Sequence, residues 1–180
     1  MPKYYITLID LNANQMLVPV KANLNPYNNK TAYCTGMPQF FGGTDDTDQP
    51  PAIVLEKEIT EESRRTLELI SGSPTHFLTS ENMFFYWAGE NQWKRTGTPW
   101  KPASKKEEKE MERIETVDLT EFHRKKIKSN DEEDIIWELR NQTGTLDAPE
   151  KGETDFANSS TRTAFIEIIS MYLDGELYAI

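Results

Sequence analysis

Short apolar runs rich in β-branched and aromatic residues alternate with turn-forming stretches along most of the chain. Runs at residues 4–11 and 15–20, separated by the Asn-Ala-Asn of residues 12–14, predict a β-hairpin. Residues 23–30 have the asparagine and proline content of a loop, and residues 31–35 predict a short strand. We therefore expect the chain to open with antiparallel strands.

The same pattern continues in the middle of the chain. Further strands are predicted at residues 66–70, 76–80, 83–88 and 111–117, with turns at residues 71–74 and 81–82. Residues 89–110 and 141–158 lack periodicity and predict two long loops, of which the first has the character of an insertion over one edge of the sheet.

Apolar residues at helical spacing predict a closing helix that lies on the sheet. Its stripe consists of Ala164, Phe165, Ile168, Ile169 and Tyr172, with Ser159 or Ser160 as N-cap. Two shorter helices are predicted at residues 119–126 and 131–140, the second with Asn130 as its N-cap. A chain of 180 residues is long enough to bury one core, so we expect a single α+β domain over residues 1–180.

The most informative stretch is residues 42–65, where a glycine turn leads into a helix predicted at residues 51–64. Pro50 and Pro51 suit a helix start, because a proline in the first turn lacks an N–H that would be unpaired there. Leu55 and Ile59 fall on one stripe of this helix. A neighbouring arc carries Glu58, Glu61 and Glu62.

Three carboxylates within one helical turn repel one another, so a cation is expected to offset their charge. Mg²⁺ is a suitable ion, because it takes carboxylate oxygens together with waters and substrate phosphates. The alternative interpretation is a solvated acidic face, which is the usual role of a charge run.

The spacing in this stretch resembles the Nudix box. Gly43, five residues, Gln49, seven residues, and then residues 57–62 follow the family pattern of glycine, glutamate and Arg-Glu-aliphatic-x-Glu-Glu. In that family the glutamates bind the catalytic divalent cations and the glycine lies in the adjacent loop. The resemblance therefore implies a metal site at Glu58, Glu61, Glu62 and Gly43.

Four positions depart from the box. Gln49 and Lys57 replace glutamate and arginine, a paired change that would keep a hydrogen bond between loop and helix but lose the bidentate fork. The family pattern continues after its last two glutamates with any residue, a glycine and an aliphatic residue, and Arg64 and Arg65 replace that glycine and aliphatic residue. We therefore expect the helix to run on rather than end at a left-handed glycine.

The resemblance implies a Nudix-like α/β/α sandwich with a mixed central β-sheet. It also implies hydrolysis of a phosphoanhydride bond in a nucleotide, with Mg²⁺ or Mn²⁺ as cofactor and a small-molecule nucleotide as substrate. Two alternatives are a Nudix-fold module that binds or senses a nucleotide with weak or no turnover, and an acidic structural domain with a coincidental match. Homodimer formation is left open.

The charge and the single cysteine narrow the class of protein. A formal charge of −10 argues against a protein that binds a nucleic acid duplex. Cys34 is the only cysteine, which excludes an internal disulfide. With neither an 18-residue apolar stretch nor a signal-peptide pattern in the sequence, we expect a soluble cytoplasmic protein without a membrane segment.

Other candidate residues are single side chains. His76 and His123 lack zinc spacing, and neither a nucleophile elbow nor a P-loop motif is present. The aromatic residues 84–87 alternate on a strand and favour core packing. Trp93 and Trp100, in a predicted loop, are candidates for stacking on substrate.

Two further groups leave alternatives open. Phe40 and Phe41 beside the glycines either line the pocket, with Phe41 the substrate-binding candidate, or anchor the loop. A charge run contains Glu107, Glu108, Glu110 and Glu112. It is either a solvated face or the source of one extra metal ligand or general base, of the kind that Nudix enzymes take from a loop outside the box.

Overall fold

The computed structural model describes residues 1–22, 36–45, 47–70, 74–147 and 159–178. The strand predicted at residues 31–35 and the loop at residues 23–30 lie outside the described residues. Residues 71–73 of the turn predicted at residues 71–74 and residues 148–158 of the loop predicted at residues 141–158 also lie outside them.

Within these ranges the protein is α+β, with eight strands, four helices and one 3-10 turn. The strands are β1 Lys3–Asp10, β2 Gln15–Lys21, β3 Phe41–Thr44, β4 Leu67–Leu69, β5 Thr75–Ser80, β6 Met83–Ala88, β7 Trp93–Arg95 and β8 Met111–Asp118. The helices are α1 Pro51–Glu62, α2 Thr120–Arg124, α3 Glu132–Gln142 and α4 Ser159–Leu173, and the 3-10 turn is Lys106–Lys109.

Strand β1 is the centre of a six-stranded mixed sheet in the order β5-β6-β1-β2-β8. It pairs in parallel with β6 and antiparallel with β2, which confirms the predicted hairpin. The opposite end of β1 pairs with β3, so that Tyr5 faces Gly42 across the ladder. A separate two-stranded antiparallel sheet joins β4 to β7.

The helices cover both faces of this sheet. Leu8 of β1 belongs to a core cluster with Leu55 and Ile59 of α1. The next residue, Ile9, belongs to a second cluster with Phe165 of α4 and other residues of α3 and α4. Successive side chains of a strand point to opposite faces, so α1 packs on one face of the sheet and α3 and α4 pack on the other. Among the described helices, none combines the length and hydropathy that a membrane crossing requires.

Several predictions about local structure need correction. The predicted loop at residues 89–110 contains strand β7, which is held by pairing with β4 rather than by its own periodicity. Asp131, not Asn130, caps α3, because its carboxylate accepts the Asp134 N–H at 3.3 Å. Helix α4 includes both Ser159 and Ser160, so neither stands before its first turn as the expected N-cap.

The expectation that α1 runs on past the glutamates is wrong. The helix ends at Glu62, and both Arg64 and Arg65 are left-handed, with φ of 53° and 65°. Such values are unfavourable for residues with a side chain. The Arg64 guanidinium stabilises the turn, since it donates to the carbonyl oxygens of Lys101, Glu108 and Met111 at 2.9–3.1 Å.

A substitution at Trp93 in β7 tests whether its buried indole stabilises the fold. Trp93 is 8% exposed, and its Nε1–H donates to the Ile9 carbonyl at 3.0 Å. We expect Trp93→Ala to lower the free energy of unfolding by about 3–5 kcal/mol, the usual cost of emptying a large aromatic site. Urea denaturation measures this cost. The control is Trp137→Ala, because Trp137 is 53% exposed, and an equal loss in both variants would contradict the assignment.

Candidate functional site

Glu62, the last residue of α1, is buried against the start of the glycine turn. Glu62 is 1% exposed, and its Oε1 accepts a hydrogen bond from the Gly42 N–H at 2.7 Å. Pairing of β3 with β1 fixes Gly42, while Leu55 and Ile59 fix the face of α1 that meets the sheet. The glycine turn and the apolar face of α1 together therefore hold the Glu62 carboxylate beside Gly42.

The two glycines have different roles. A Cβ on Gly42 would lie 2.1 Å from the Tyr4 carbonyl oxygen, so no larger residue fits without a backbone shift. A Cβ on Gly43 would lie 2.9 Å from Glu58 Oε1. Thus Gly42 donates to the buried glutamate, whereas Gly43, the glycine singled out by the motif, makes room for the Glu58 carboxylate.

Burial raises the pKa of four neighbouring carboxyl groups at this point. Burial, followed by repulsion from Glu61 and Glu110, raises the pKa of Glu58 to about 7. Burial raises the pKa of Glu62 well above its ordinary value, with Glu58 and Glu110 adding to the effect. The pKa values of Glu61 and Glu110 are also raised, in both cases mainly by burial. Glu58, Glu61, Glu62 and Glu110 are called the carboxylate cluster below.

Among the four glutamates of the charge run, Glu110 acts on Glu58 and Glu62, whereas Glu107 and Glu108 act, of the three glutamates on α1, only on Glu61. Glu110 lies directly before β8, and its charge raises the pKa of both Glu58 and Glu62, while its own pKa is raised mainly by burial. Glu108 instead accepts the Ser104 N–H at 2.9 Å and pairs with Arg65. Glu112 pairs with Arg113 at 2.8 Å. Sequence reasoning left these residues equivalent because their differences are tertiary.

Tyr5 is a site residue that sequence reasoning missed. Burial and the charges of Glu62, Glu58 and Glu110 raise the pKa of its hydroxyl to about 12. Nothing in the strand pattern distinguished it from its neighbour Tyr4. Lys21 is the cation that lowers the pKa of both Glu62 and Glu110, so β2 supplies part of the compensating charge.

The donor chemistry of the carboxylate cluster suits a hard divalent ion. Glu62 Oε2 is buried and has no hydrogen-bond donor among the described residues, and carboxylate oxygens are the ligands that Mg²⁺ prefers. As the side chains stand, however, no group of three His, Cys, Asp or Glu residues in the described ranges is arranged to enclose a metal ion. Binding therefore requires the carboxylates to turn toward the ion.

The expected support between loop and helix is not formed by the side chains of Gln49 and Lys57. Both residues are exposed, and no hydrogen bond links them in the described structure. Lys57 instead borders a cavity of about 450 Å³ together with Glu61 and Lys105. Neither lysine forms an ion pair with a described residue, so this cavity combines the carboxylates of Glu56 and Glu61 with two cations.

The aromatic candidates separate by burial. Phe41 and Trp93 lie in the core, so neither presents a free ring face to a substrate in the described structure. Phe40 stacks on Phe165 with ring centroids 4.3 Å apart. Trp100 is 37% exposed and carries the Arg64 guanidinium over its ring at 4.2 Å. Trp100 therefore remains accessible for stacking.

The two histidines lie outside the carboxylate cluster. His76 Nε2 contacts Thr79 Oγ1 at 2.7 Å, and the His123 ring lies 5.3 Å from that of Tyr172.

Comparison with known proteins gives no assignment. No family model matches the chain, and no curated protein sequence matches it.

Because the Tyr4 carbonyl lies so close to Gly42, adding one methyl group at residue 42 should strongly destabilise the fold. We expect Gly42→Ala to lower the free energy of unfolding by about 3 kcal/mol or more, since the added Cβ meets backbone rather than a flexible side chain. Gly43→Ala is the matched control, because the Glu58 carboxylate can move aside. Chemical denaturation of both variants measures the difference, and equal stability of Gly42→Ala and wild type would contradict the geometry.

The raised pKa of Glu58 predicts a pH dependence for the metal-free protein. A carboxyl group with a folded pKa of about 7 and an ordinary value of 4.5 binds its proton more tightly in the folded state. Its contribution to stability is complete below pH 4.5 and is lost as pH rises through about 7.

In a chelator we therefore expect the melting temperature to fall between about pH 5 and about pH 8, and to fall less in Glu58→Gln. Glu56→Gln, on the exposed side of the same helix, should keep the wild-type dependence. An unchanged slope in Glu58→Gln would show that the carboxylate is not buried as described.

Proposed function

We propose that the chain is a Nudix-like α/β/α sandwich that hydrolyses a phosphoanhydride bond in a nucleotide with Mg²⁺ or Mn²⁺. The observation that supports this proposal is the buried Glu62 carboxylate, with one oxygen held by Gly42 and the other without a donor among the described residues. Glu58 and Glu110 beside it add negative charge rather than neutralise it. A divalent cation would supply the missing opposite charge.

Each residue of the carboxylate cluster has a defined role in this proposal. Glu62 is the most fixed ligand, because the Gly42 N–H orients it, and Glu58, Glu61 and Glu110 turn toward the ion from the surrounding positions. When bound, the ion neutralises phosphate charge and lowers the pKa of a coordinated water. Lys57 and Lys105 at the adjoining cavity pair with further phosphate oxygens.

A second candidate function is nucleotide binding without turnover. It is favoured by the absence, among the described residues, of three acidic or imidazole side chains already arranged around an ion. The lack of a hydrogen bond between Gln49 and Lys57 supports the same alternative. Both functions use the same cluster and differ in whether a coordinated water is activated.

Metal binding predicts a stability change that does not depend on catalysis. A ligand bound only by the folded state adds RT ln(1 + [L]/Kd) to the free energy of unfolding. We expect millimolar Mg²⁺ or Mn²⁺ to raise the melting temperature of wild type and of Glu81→Gln, a variant of an exposed glutamate outside the cluster and its cavity. Glu62→Gln should lose this response. A wild-type melting temperature that does not change with either ion would exclude the metal site.

Turnover distinguishes the enzyme from the binding module. With nucleoside triphosphates, nucleotide sugars, ADP-ribose and dinucleotides as substrates, product chromatography should show metal-dependent cleavage of at least one class. Glu62→Gln and Glu61→Gln should each lower the rate by about 10²–10³, the equivalent of several kcal/mol of charge stabilisation. Glu81→Gln is the control, because Glu81 is exposed and does not line the cavity beside the cluster, and it should remain near wild type.

Two outcomes would contradict the enzyme proposal. Cleavage that survives Glu62→Gln undiminished would show that the cluster does not hold the catalytic ion. Saturable nucleotide binding by calorimetry, with no product from any of the four classes, would favour the binding module instead.

A further inference from the structure

A second cavity lies away from the carboxylate cluster. It has a volume of about 500 Å³ and opens between the small sheet and strands β2 and β8. Its apolar floor includes Leu17 and Leu67, both buried, and no residue of the carboxylate cluster lines it. Volumes of about 300–1,000 Å³ with an apolar lining and a few polar groups are typical of small-molecule sites.

Trp100 forms one wall of this cavity and is held in place by Arg64. The guanidinium lies 4.2 Å from the ring centroid and is itself fixed by the carbonyl oxygens of Lys101, Glu108 and Met111. Arg64 does not line the cavity, so it covers the indole from outside. The ring is thereby held ready for a planar ligand, since an indole offers a large stacking surface at low conformational cost.

Arg95 supplies a cation on another wall. Its guanidinium makes no hydrogen bond or ion pair with any described residue, and its recorded contact is the Trp93 ring at 6.0 Å, near the limit for a cation–π interaction. The second arginine of the lining, Arg113, differs because it is already paired with Glu112 and Glu115. Arg95 is therefore available for an anion.

Three threonines line the cavity, and the Thr66 hydroxyl already donates to the Ser63 carbonyl at 2.7 Å. Thr98 and Thr116 both border the cavity, and neither side chain forms a hydrogen bond with a described residue. Hydroxyls of this kind both donate and accept, which suits the hydroxyl groups of a sugar. The apolar floor is thus surrounded by the ring of Trp100, two hydroxyls without described partners and the free guanidinium of Arg95.

We propose that this cavity binds a nucleoside monophosphate, with the base on Trp100, the ribose hydroxyls at Thr98 and Thr116, and the phosphate at Arg95. A small ligand is favoured over a nucleic acid chain because the protein carries a formal charge of −10. The site needs no metal ion and is independent of the hydrolysis proposed above.

Calorimetry with AMP in excess chelator tests this site without the carboxylate chemistry, because AMP has no phosphoanhydride bond. We expect saturable binding to wild type and binding at least about tenfold weaker in Trp100→Leu and Arg95→Gln. Trp100→Phe should retain part of the affinity. Lys94→Gln is the matched control, since Lys94 neighbours Arg95 on β7 but does not line the cavity. Adenosine and inorganic phosphate should each bind more weakly than AMP.

Several results would overturn the proposal. These are no saturable heat at millimolar AMP, equal affinity of Arg95→Gln and Lys94→Gln, and adenosine binding as tightly as AMP. In chelator, Glu62→Gln should bind AMP as wild type does, and a loss in that variant would place the ligand at the carboxylate cluster. Binding of AMP by a protein that shows no metal-dependent hydrolysis would leave this site intact and remove only the proposed enzyme activity.

Discussion

The hydrogen bond from the Gly42 amide to the Glu62 carboxylate is the contact on which the surrounding structure depends. It joins the end of α1 to β3 at a residue where the Tyr4 carbonyl and Tyr5 of β1 leave no space for a side chain. An ionised carboxylate buried beside two others is costly unless it is neutralised by a proton or by a cation. The fold thus maintains a carboxyl group whose protonated form is favoured in the absence of a cation, and the proposed function would add a second form in which a bound ion replaces the proton.

The turn after α1 shows how the chain accommodates two arginines where glycine is the easier residue. Left-handed backbone at Arg64 and Arg65 costs free energy, which the three carbonyl contacts of the Arg64 guanidinium offset. These contacts also attach the segment that leads into β8, and therefore Glu110, to the end of the helix. A glycine would relax the backbone but would leave that segment without its anchor.

Local patterns predicted the elements that depend on them. The hairpin of β1 and β2, the position of α1 and the apolar stripe of α4 follow from periods of two and 3.6 residues. Strand β7 was missed because three residues carry no readable period, and Trp93 was consequently placed on a surface loop. Glu110 and Tyr5 lie beside Glu62 because distant segments of the chain meet in the folded state. No spacing pattern in the sequence could therefore identify these two residues as part of the site.

The residues that form the carboxylate cluster and its glycine contact come from both near and distant positions in the sequence. Gly42 and Glu62 are 20 residues apart, whereas Glu110 arrives at the start of β8, the strand at one end of the main path of the sheet. Terminal strands open more readily than central ones, so β8 can detach locally while the turn and α1 stay folded. A cation held by Glu110 as well as Glu62 would oppose that opening. Occupancy of the site would then be readable as slower amide exchange along β8, at backbone positions that never touch the ion.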